Sequence, residues 1–288
     1  MGSLKRVSQT ILKRFSRLKL SLETDRLPAI SAGASQHARL GGKYLAGHWE
    51  NYYLRESLLW SQTGSVRASQ KWLAPSWSWA SHSGAFRFPC EHLGEIARLN
   101  IHFSVIDMHC TLKTTNPFGE VKGGYLTVCG YLLPVTLNKT ATDPSSNHQT
   151  YQLNCPYRGF QRPTAHKTGT SCWPRDLTLD HRQHDHLVAI VGNPEHEDIF
   201  CLLGGSVNTG GSEQTGKIIR RGYQTFTWSI VLRQLDKRRR LYERLSMLIE
   251  EGSTPLTLGI EGLPADGTLD EEASWFQGWR KKSIITII

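Results

Sequence analysis

The chain has 288 residues, of which 39% are hydrophobic and 20% are charged, and it carries a formal net charge of +9. This length allows one large domain or two ordinary ones with a substantial buried core. No stretch reaches the roughly 18 apolar residues of a transmembrane helix, so we expect no transmembrane segment, while the positive charge permits nucleic acid or an acidic surface as a partner.

The cysteines predict neither a zinc site nor a disulfide framework. None of the six stands in a CxxC pair, which structural zinc sites commonly use. The N-terminus has no apolar core of a secretory signal, so we expect reduced and mostly buried thiols. The residues are Cys90, Cys110, Cys129, Cys155, Cys172 and Cys201.

The first twenty residues combine helical spacing of apolar side chains with a basic face that precedes the first acid, Glu23. This pattern favours an amphipathic helix that docks on the body of the protein, and it is also typical of a mitochondrial transit peptide. The apolar positions are Leu4, Val7, Ile11, Phe15 and Leu18.

A second helix is predicted over 43–60, where most apolar residues fall along one helical stripe and Gly64 follows as a stop signal. The stripe comprises Leu45, Trp49, Tyr52, Leu59 and Trp60. We therefore expect residues 1–72 to form a helical segment and 73–288 to form a β-rich domain.

Strands are predicted in the middle of the chain from runs of β-branched and aromatic residues bounded by turn signals. Two further runs are joined by the turn-like NPEHE and indicate a hairpin, whereas 138–180 indicate a long loop with one short strand. The predicted strands are 96–110, 123–137, 151–153, 186–192, 198–205 and 218–226.

The strongest helical pattern lies at 228–251, followed by a terminal strand in KKSIITII. Its apolar face consists of Val231, Leu235, Tyr242, Leu245 and Ile249. The sequence as a whole predicts an α+β fold, with N-terminal helices packed on a mainly antiparallel β sandwich or open barrel and one long amphipathic helix near the C-terminus.

Three segments resemble functional motifs without matching them. Residues 211–217, GSEQTGK, match a phosphate-binding loop except that Ile218 stands where the magnesium-binding hydroxyl is needed. The His and Asp residues of 180–186 do not have the spacing of a closed metal site. The basic run 237–240 could bind phosphate, but nearby acidic residues reduce the net charge of the predicted helix. We therefore expect no catalytic residue, no cofactor, no metal and no small-molecule ligand.

The stretch APSWSWAS, 74–81, places Trp77 and Trp79 two positions apart. In a strand, the two indoles would share one face of the sheet and Ser76, Ser78 and Ala80 the other. We expect both rings to be buried, with Pro75 fixing the entry, and to hold the predicted helix around Trp49 and Trp60 on the β region.

Several blocks in fixed order resemble the segment that follows the HET domain in fungal heterokaryon-incompatibility proteins. The resemblance is dense from about residue 15 to 84, and it departs from the family at the polar Ser35–Gln36–His37. The blocks are ETDRLPAIS (23–31), KYLAGHW to LLW (43–60), APSWSWAS (74–81) and, more loosely, NPFGEVKGGYLTVCG (116–130) and the closing ITII.

This resemblance implies a role in fungal non-self recognition, in which a cell-death response follows the fusion of incompatible hyphae. The family's HET domain lies upstream of the DRLPA block, so we expect the chain to correspond to the C-terminal part without that domain. The implied function is a non-enzymatic regulatory or scaffold region that acts in the cytoplasm through a protein partner. The alternatives are a basic nucleic-acid-associated protein and a mitochondrial location.

Overall fold

The computed structural model describes residues 10–38, 42–51, 53–63, 71–88, 99–139, 151–154, 175–177, 198–209, 224–252 and 282–288. Within these ranges the protein is mostly β, with short helices confined to the N-terminal part. The helices are α1 (10–16), α2 (Ser31–His37) and α3 (Leu54–Ser57), with 3-10 turns at Glu23–Arg26, Pro28–Ile30 and Trp79–Ser81.

Thirteen strands are described, and they fall into one large sheet and two small ribbons. The ribbons pair β1 (Tyr44–Leu45) with β2 (His48–Trp49) and β3 (Ser61–Thr63) with β4 (Ala85–Arg87). The large sheet contains β5 (Asn100–Ile101), β6 (Phe103–Leu112), β7 (Val121–Lys139), β8 (Tyr151–Asn154), β9 (Arg175–Leu177), β10 (Ile199–Thr209), β11 (Gln224–Asp236), β12 (Leu241–Gly252) and β13 (Lys282–Ile287).

The pairings of the large sheet close on themselves. The long strand β7 pairs with β13 and β6 through its first half and with β10 and β8 through its second half. Strands β10, β11 and β12 follow as antiparallel neighbours, and β12 runs parallel to β13, which leads back to β7. The inner side of this circuit shares one hydrophobic core with the segments that precede it in the chain.

The predicted α+β fold is wrong, and the largest error concerns 228–251. This segment is a hairpin of β11 and β12 joined by a turn at 237–240, and no long C-terminal helix is present in it. The strands also belong to one mixed sheet with closed pairings and not to a sandwich or an open barrel. Burial on both sides of the strands explains the error, because residues 227–232 and 244–248 are all buried and such runs lack the alternation of a half-exposed strand.

The predicted helix over 43–60 is also wrong. Its first part is the ribbon β1–β2, whose two-residue loop has positive φ angles at Ala46 (44°) and Gly47 (95°). Paired positive φ angles suit the right-handed twist of a tight hairpin, which is why glycine occurs in such loops. Only the four residues of α3 are helical in the remainder of the predicted element that the structure describes.

Several sequence-based predictions of strands are confirmed. Strands β5 and β6 occupy the predicted 96–110 region, β7 contains 123–137, β8 covers 151–153, and β13 is the terminal strand. Residues 199–205 of the predicted strand 198–205 lie in β10. Its proposed hairpin partner 186–192 lies outside the described residues, as do 218–223 and most of 138–180.

The N-terminal helix docks on the body of the protein through fewer residues than the sequence pattern predicts. Leu12 and Phe15 of α1 pack against the core, and Ser16 is buried, while Ile11 and Leu18 are exposed. Leu4 and Val7 lie outside the described residues. Helix α1 ends at residue 16, so the stripe does not continue to Leu18.

The three cysteines that the structure describes are free thiols. Cys110 and Cys201 are buried and Cys129 is half-buried. Burial raises the pKa of the Cys110 thiol to about 12, although Lys43 acts in the opposite direction. The other three cysteines lie outside the described residues.

Candidate functional site: the buried tryptophan cluster

Three of the tryptophans singled out in the sequence meet in the core. Trp60, Trp77 and Trp79 each expose only 1% of their surface. They come from the end of the 43–60 block and from the APSWSWAS block, and they lie between the N-terminal segments and the large sheet. We refer to these three residues as the tryptophan cluster.

The APSWSWAS segment is not a strand but a series of tight turns. The main-chain N–H of Ser78 donates to Pro75 O at 2.9 Å, and that of Ser81 donates to Ser78 O at 3.1 Å. The Ser78 hydroxyl accepts from the N–H of Ala80 at 3.0 Å, which caps the 3-10 turn that begins at Trp79. Because the chain curls here, the small residues do not form an opposite face, and Ser76, Ser78 and Ala80 are buried together with the indoles.

Trp79 fastens this segment to the β1–β2 ribbon. Its indole N–H donates to Gly47 O at 2.9 Å, and the Ser78 hydroxyl donates to Ala46 O at 2.5 Å. A Cβ atom added at Gly47 would lie 2.5 Å from Trp79 Nε1, so only glycine allows this approach. The Trp79 ring also stacks on Phe86 with centroids 5.1 Å apart.

Arg26 brings the DRLPA block to the same indole. Its guanidinium carbon lies 5.5 Å from the Trp79 ring centroid, and Arg26 Nη2 donates to Gly84 O at 3.0 Å. Burial lowers the pKa of Arg26 to about 10, and the charge of Glu23 partly offsets this shift. The Arg26 side chain therefore remains a cation at neutral pH.

Arg244 joins the cluster from the sheet side. It lies on β12 with 1% exposure, and its guanidinium group donates to the main-chain oxygens of Leu58, at 2.8 Å, and of Trp60. The N–H of Arg244 donates to the Ser76 hydroxyl at 3.0 Å, and that hydroxyl donates to a main-chain oxygen of Ile288. Four separate parts of the chain are thus linked through two side chains.

Trp60 and Trp77 are linked directly, and the buried His48 lies against Trp77. Trp60 Nε1 donates to Trp77 O at 3.0 Å, and the His48 ring lies 5.8 Å from the Trp77 ring between centroids. His48 Nδ1 and Ser57 Oγ are 2.8 Å apart. Because the Ser57 hydroxyl donates its proton to Leu54 O at 2.7 Å, we assign the proton of neutral His48 to Nδ1.

The environment keeps His48 neutral. Burial, reinforced by the positive charge of Arg244, lowers the pKa of His48 to about 3. His48 Nε2 and Trp77 Nε1 are both buried, and neither has a hydrogen-bond partner among the described residues. A neutral imidazole fits this apolar setting, since a charged ring would lose its hydration without a compensating carboxylate.

Trp49 and Pro75 lie apart from the tryptophan cluster. Trp49 is half-buried on β2, with Tyr44 5.1 Å and Phe118 6.1 Å away between ring centroids. Pro75 is buried beside Gly124 of β7. The structure therefore separates the predicted site residues into three buried tryptophans that share a cluster and two residues that pack elsewhere.

Trp49 lines an apolar depression between α1, α2 and the β1–β2 ribbon. Its lining is mostly apolar, and Tyr44 forms part of the wall. Burial raises the pKa of Tyr44 above its usual range, so the phenol remains protonated. The other lining residues are Ile11, Leu12, Ile30, Gly33, Ala34 and Gly47.

Several residues that contact the tryptophan cluster were not found by sequence reasoning. Gly47 and His48 stand close to Trp49 in the second quoted block and Arg26 stands in the first, so their membership of these blocks was the available signal. Nothing in the sequence distinguished Arg244 from the other charged residues of the helix predicted over 228–251. The segments 180–186 and 211–217 lie outside the described residues.

The arrangement acts as a structural junction. The indole N–H groups of Trp60 and Trp79 and the guanidinium N–H groups of Arg26 and Arg244 are directed to main-chain carbonyl groups inside the protein. Within the described part of the chain, no three His, Cys, Asp or Glu residues are grouped as metal ligands, and no helix there is long and apolar enough to cross a membrane. The sequence matches no family model, and no curated protein or solved structure is significantly similar to it.

Proposed function

We propose that the chain is a regulatory or scaffold region of a HET-like protein in fungal non-self recognition, acting in the cytoplasm through contacts with a protein partner. The proposal rests on the contacts among three segments, namely those whose resemblance to HET-family proteins is densest. Arg26 of the first block lies over Trp79 of the third, and Trp79 donates to Gly47 of the second. Blocks that are far apart in sequence thus form one unit.

The chemistry of that unit supports a binding role more than a catalytic one. Ser57 and His48 are close enough to suggest a nucleophile and base, but the Ser57 hydroxyl donates to Leu54 O, away from the imidazole. With its pKa lowered to about 3, His48 is a weak base, and general bases work best with a pKa near the operating pH. The cluster instead stabilises a rigid body that can present other surfaces to a partner.

A viability assay in a filamentous fungus tests this proposal. Three proteins are induced separately: a HET domain alone, the same domain fused upstream of residues 1–288, and the fusion carrying Trp77→Ala and Trp79→Ala. If the chain regulates the response, the fraction of cells that survive must differ between the wild-type fusion and the isolated HET domain. The double variant should behave as the isolated domain, because loss of the cluster destroys the body that contacts the partner.

The matched control is the fusion carrying Trp72→Ala. Trp72 is 56% exposed, so this variant removes an indole without opening the core and should behave as the wild-type fusion. Immunoblots at equal induction times establish that the proteins are present at comparable levels. Identical survival with the wild-type fusion and the isolated HET domain would contradict a regulatory role.

A further inference from the structure

The turn between β11 and β12 presents four consecutive basic side chains. Residues 237–240, Lys-Arg-Arg-Arg, are all exposed. The turn is fixed by a hydrogen bond of 2.9 Å from the N–H of Arg239 to Asp236 Oδ1 and by a positive φ of 51° at Arg240. Arg240 O also accepts from the N–H of Thr286 on β13 at 3.0 Å, so the turn is held against the neighbouring strand.

The hairpin separates this positive charge from the acids that surround it in sequence. Glu243 is paired with Arg233 across the two strands, and both side chains are largely buried. Glu250 and Glu251 lie about ten residues further along β12, and a strand rises about 3.4 Å per residue, so their backbone is roughly 30 Å from the turn. If 228–251 were a helix, the backbone of these two glutamates would lie within about 20 Å of the basic residues.

Neighbouring strands add to the same end of the sheet. Leu241 pairs with Thr286 in the parallel β12–β13 ladder, so Lys282 and Ile284, which precede Thr286, flank the turn. Ile284 is 53% exposed, and Leu235, just before the turn on β11, is 47% exposed. We refer to residues 235–240 together with Lys282 and Ile284 as the basic tip.

The basic tip keeps an excess of positive charge after local acids are considered. The four consecutive cations of residues 237–240 follow the single carboxylate of Asp236, and the Lys282 ammonium lies 5.2 Å from the Tyr131 ring centroid. Asp198 lies at the base of the hairpin, where its main-chain oxygen accepts from the N–H of Gln234. Arg239 Nε is 3.8 Å from Asp236 Oδ2, an exposed contact that neutralises little charge. Cations are therefore concentrated beside exposed aliphatic side chains.

We propose that the basic tip binds the surface of membranes that contain anionic phospholipids. Lipid phosphates and carboxylates attract the cations, and the aliphatic side chains of Leu235 and Ile284 can enter the apolar region beneath the headgroups. Nucleic acid would use the cations, but its phosphate backbone offers no apolar partner for these two side chains. The inference goes beyond the proposed function and does not depend on it.

Vesicle flotation with the full chain tests this proposal. The probes are phosphatidylcholine vesicles with and without phosphatidylserine at about a third of the lipid, at low and at high ionic strength. We expect binding only to the anionic vesicles and a sharp loss at high salt. Because each basic residue near such a surface contributes about 1 kcal/mol, K237Q together with R238Q should reduce the partition coefficient by about 20- to 30-fold.

The control variant removes the same charge from another basic region of the protein. Arg14 and Arg17, in and just after α1, are exposed, so R14Q together with R17Q tests whether any two cations matter equally. If this control lowers the partition coefficient much less than K237Q together with R238Q, the result supports binding through the basic tip. An equal decrease for the two double variants overturns the proposal. L235Q should weaken binding several-fold without changing the net charge.

Two further results would contradict the proposal. One is the absence of flotation with anionic vesicles for a chain that is folded by circular dichroism. The other is tighter binding to a single- or double-stranded oligonucleotide than to anionic vesicles, with the same dependence on Lys237 and Arg238 and none on Leu235, which would assign the basic tip to nucleic acid.

Discussion

Arg244 lies over Trp60, with its guanidinium carbon 3.7 Å from the centroid of the indole ring. The guanidinium group also donates to the main-chain oxygen of Trp60, so the same residue is held through its ring and its backbone. A cation over an aromatic face is stabilised by about 2 kcal/mol when both groups are desolvated. This contact connects β12 of the large sheet to the segment that leads into β3.

Replacing Arg244 by methionine should destabilise the protein by about 3 kcal/mol, because the Leu58 and Trp60 oxygens lose a buried donor. Urea denaturation at neutral pH measures the change in the free energy of unfolding. Arg239→Met is the matched control, since the Arg239 side chain is 78% exposed and its replacement should cost less than about 0.5 kcal/mol. Equal stabilities for the two variants would show that the contact does not stabilise the fold.

The tryptophan cluster predicts a second stability difference. Trp77→Ala and Trp79→Ala should each cost about 3 to 5 kcal/mol, because each removes a fully buried indole and leaves a cavity. Trp72→Ala, at a 56% exposed position, should leave the thermal midpoint nearly unchanged. If either cluster variant melts within a degree or two of wild type, the packing role of that indole is wrong.

The hairpin of β11 and β12 shows why one element could not be predicted from the sequence. Apolar residues at 231, 235, 242, 245 and 249 fit a helical stripe, yet Leu235 is 47% exposed. The turn contains no glycine, proline or asparagine, and it depends on a hydrogen bond to Asp236 and on the positive φ of Arg240. Of these features only Asp236 is a usual turn residue, and one aspartate beside four basic residues does not distinguish a turn from a charged helix face.

The burial of Trp77 and Trp79 was predictable, but their surroundings were not. Two large indoles among small residues indicate burial of the rings, whether the segment is a strand or a series of turns. That Trp79 would face Gly47, and that Arg244 would reach Trp60, depends on pairings between segments 32 and 184 residues apart. The first contact lies within the N-terminal part and the second joins that part to β12, and local periodicity specifies neither.

Gly47 and Gly33 should respond oppositely to the same substitution. Gly47→Ala places a Cβ 2.5 Å from Trp79 Nε1 at a φ of 95°, so we expect a loss of at least about 2 kcal/mol. Gly33 lies in α2 with nothing within 4 Å of an added Cβ, and Gly33→Ala should stabilise the protein by about 0.5 to 1 kcal/mol. Thermal unfolding distinguishes these outcomes, and a stabilising Gly47→Ala would contradict the close approach to Trp79.

Two buried histidines predict a loss of stability in mild acid. Burial and Arg244 lower the pKa of His48 to about 3, and burial and Lys282 lower the pKa of His102 to about 4. Both values lie below about 6.5, the value for the unfolded chain, so the unfolded state binds protons first as the pH falls. The loss begins near pH 6.5 and ends below the folded pKa, with a slope of at most about 1.4 kcal/mol per pH unit for each histidine.

His102→Gln isolates this effect. Glutamine can still reach the Ser206 hydroxyl, which lies 2.8 Å from His102 Nε2, but it does not titrate. Between pH 7 and pH 5 the variant should lose about 2 kcal/mol less than wild type, whatever its stability at neutral pH. His109→Gln, at an exposed position on β6, serves as the control for the loss of an imidazole elsewhere in the sheet. Identical pH profiles for His102→Gln and wild type would show that burial of His102 does not make the fold acid-sensitive.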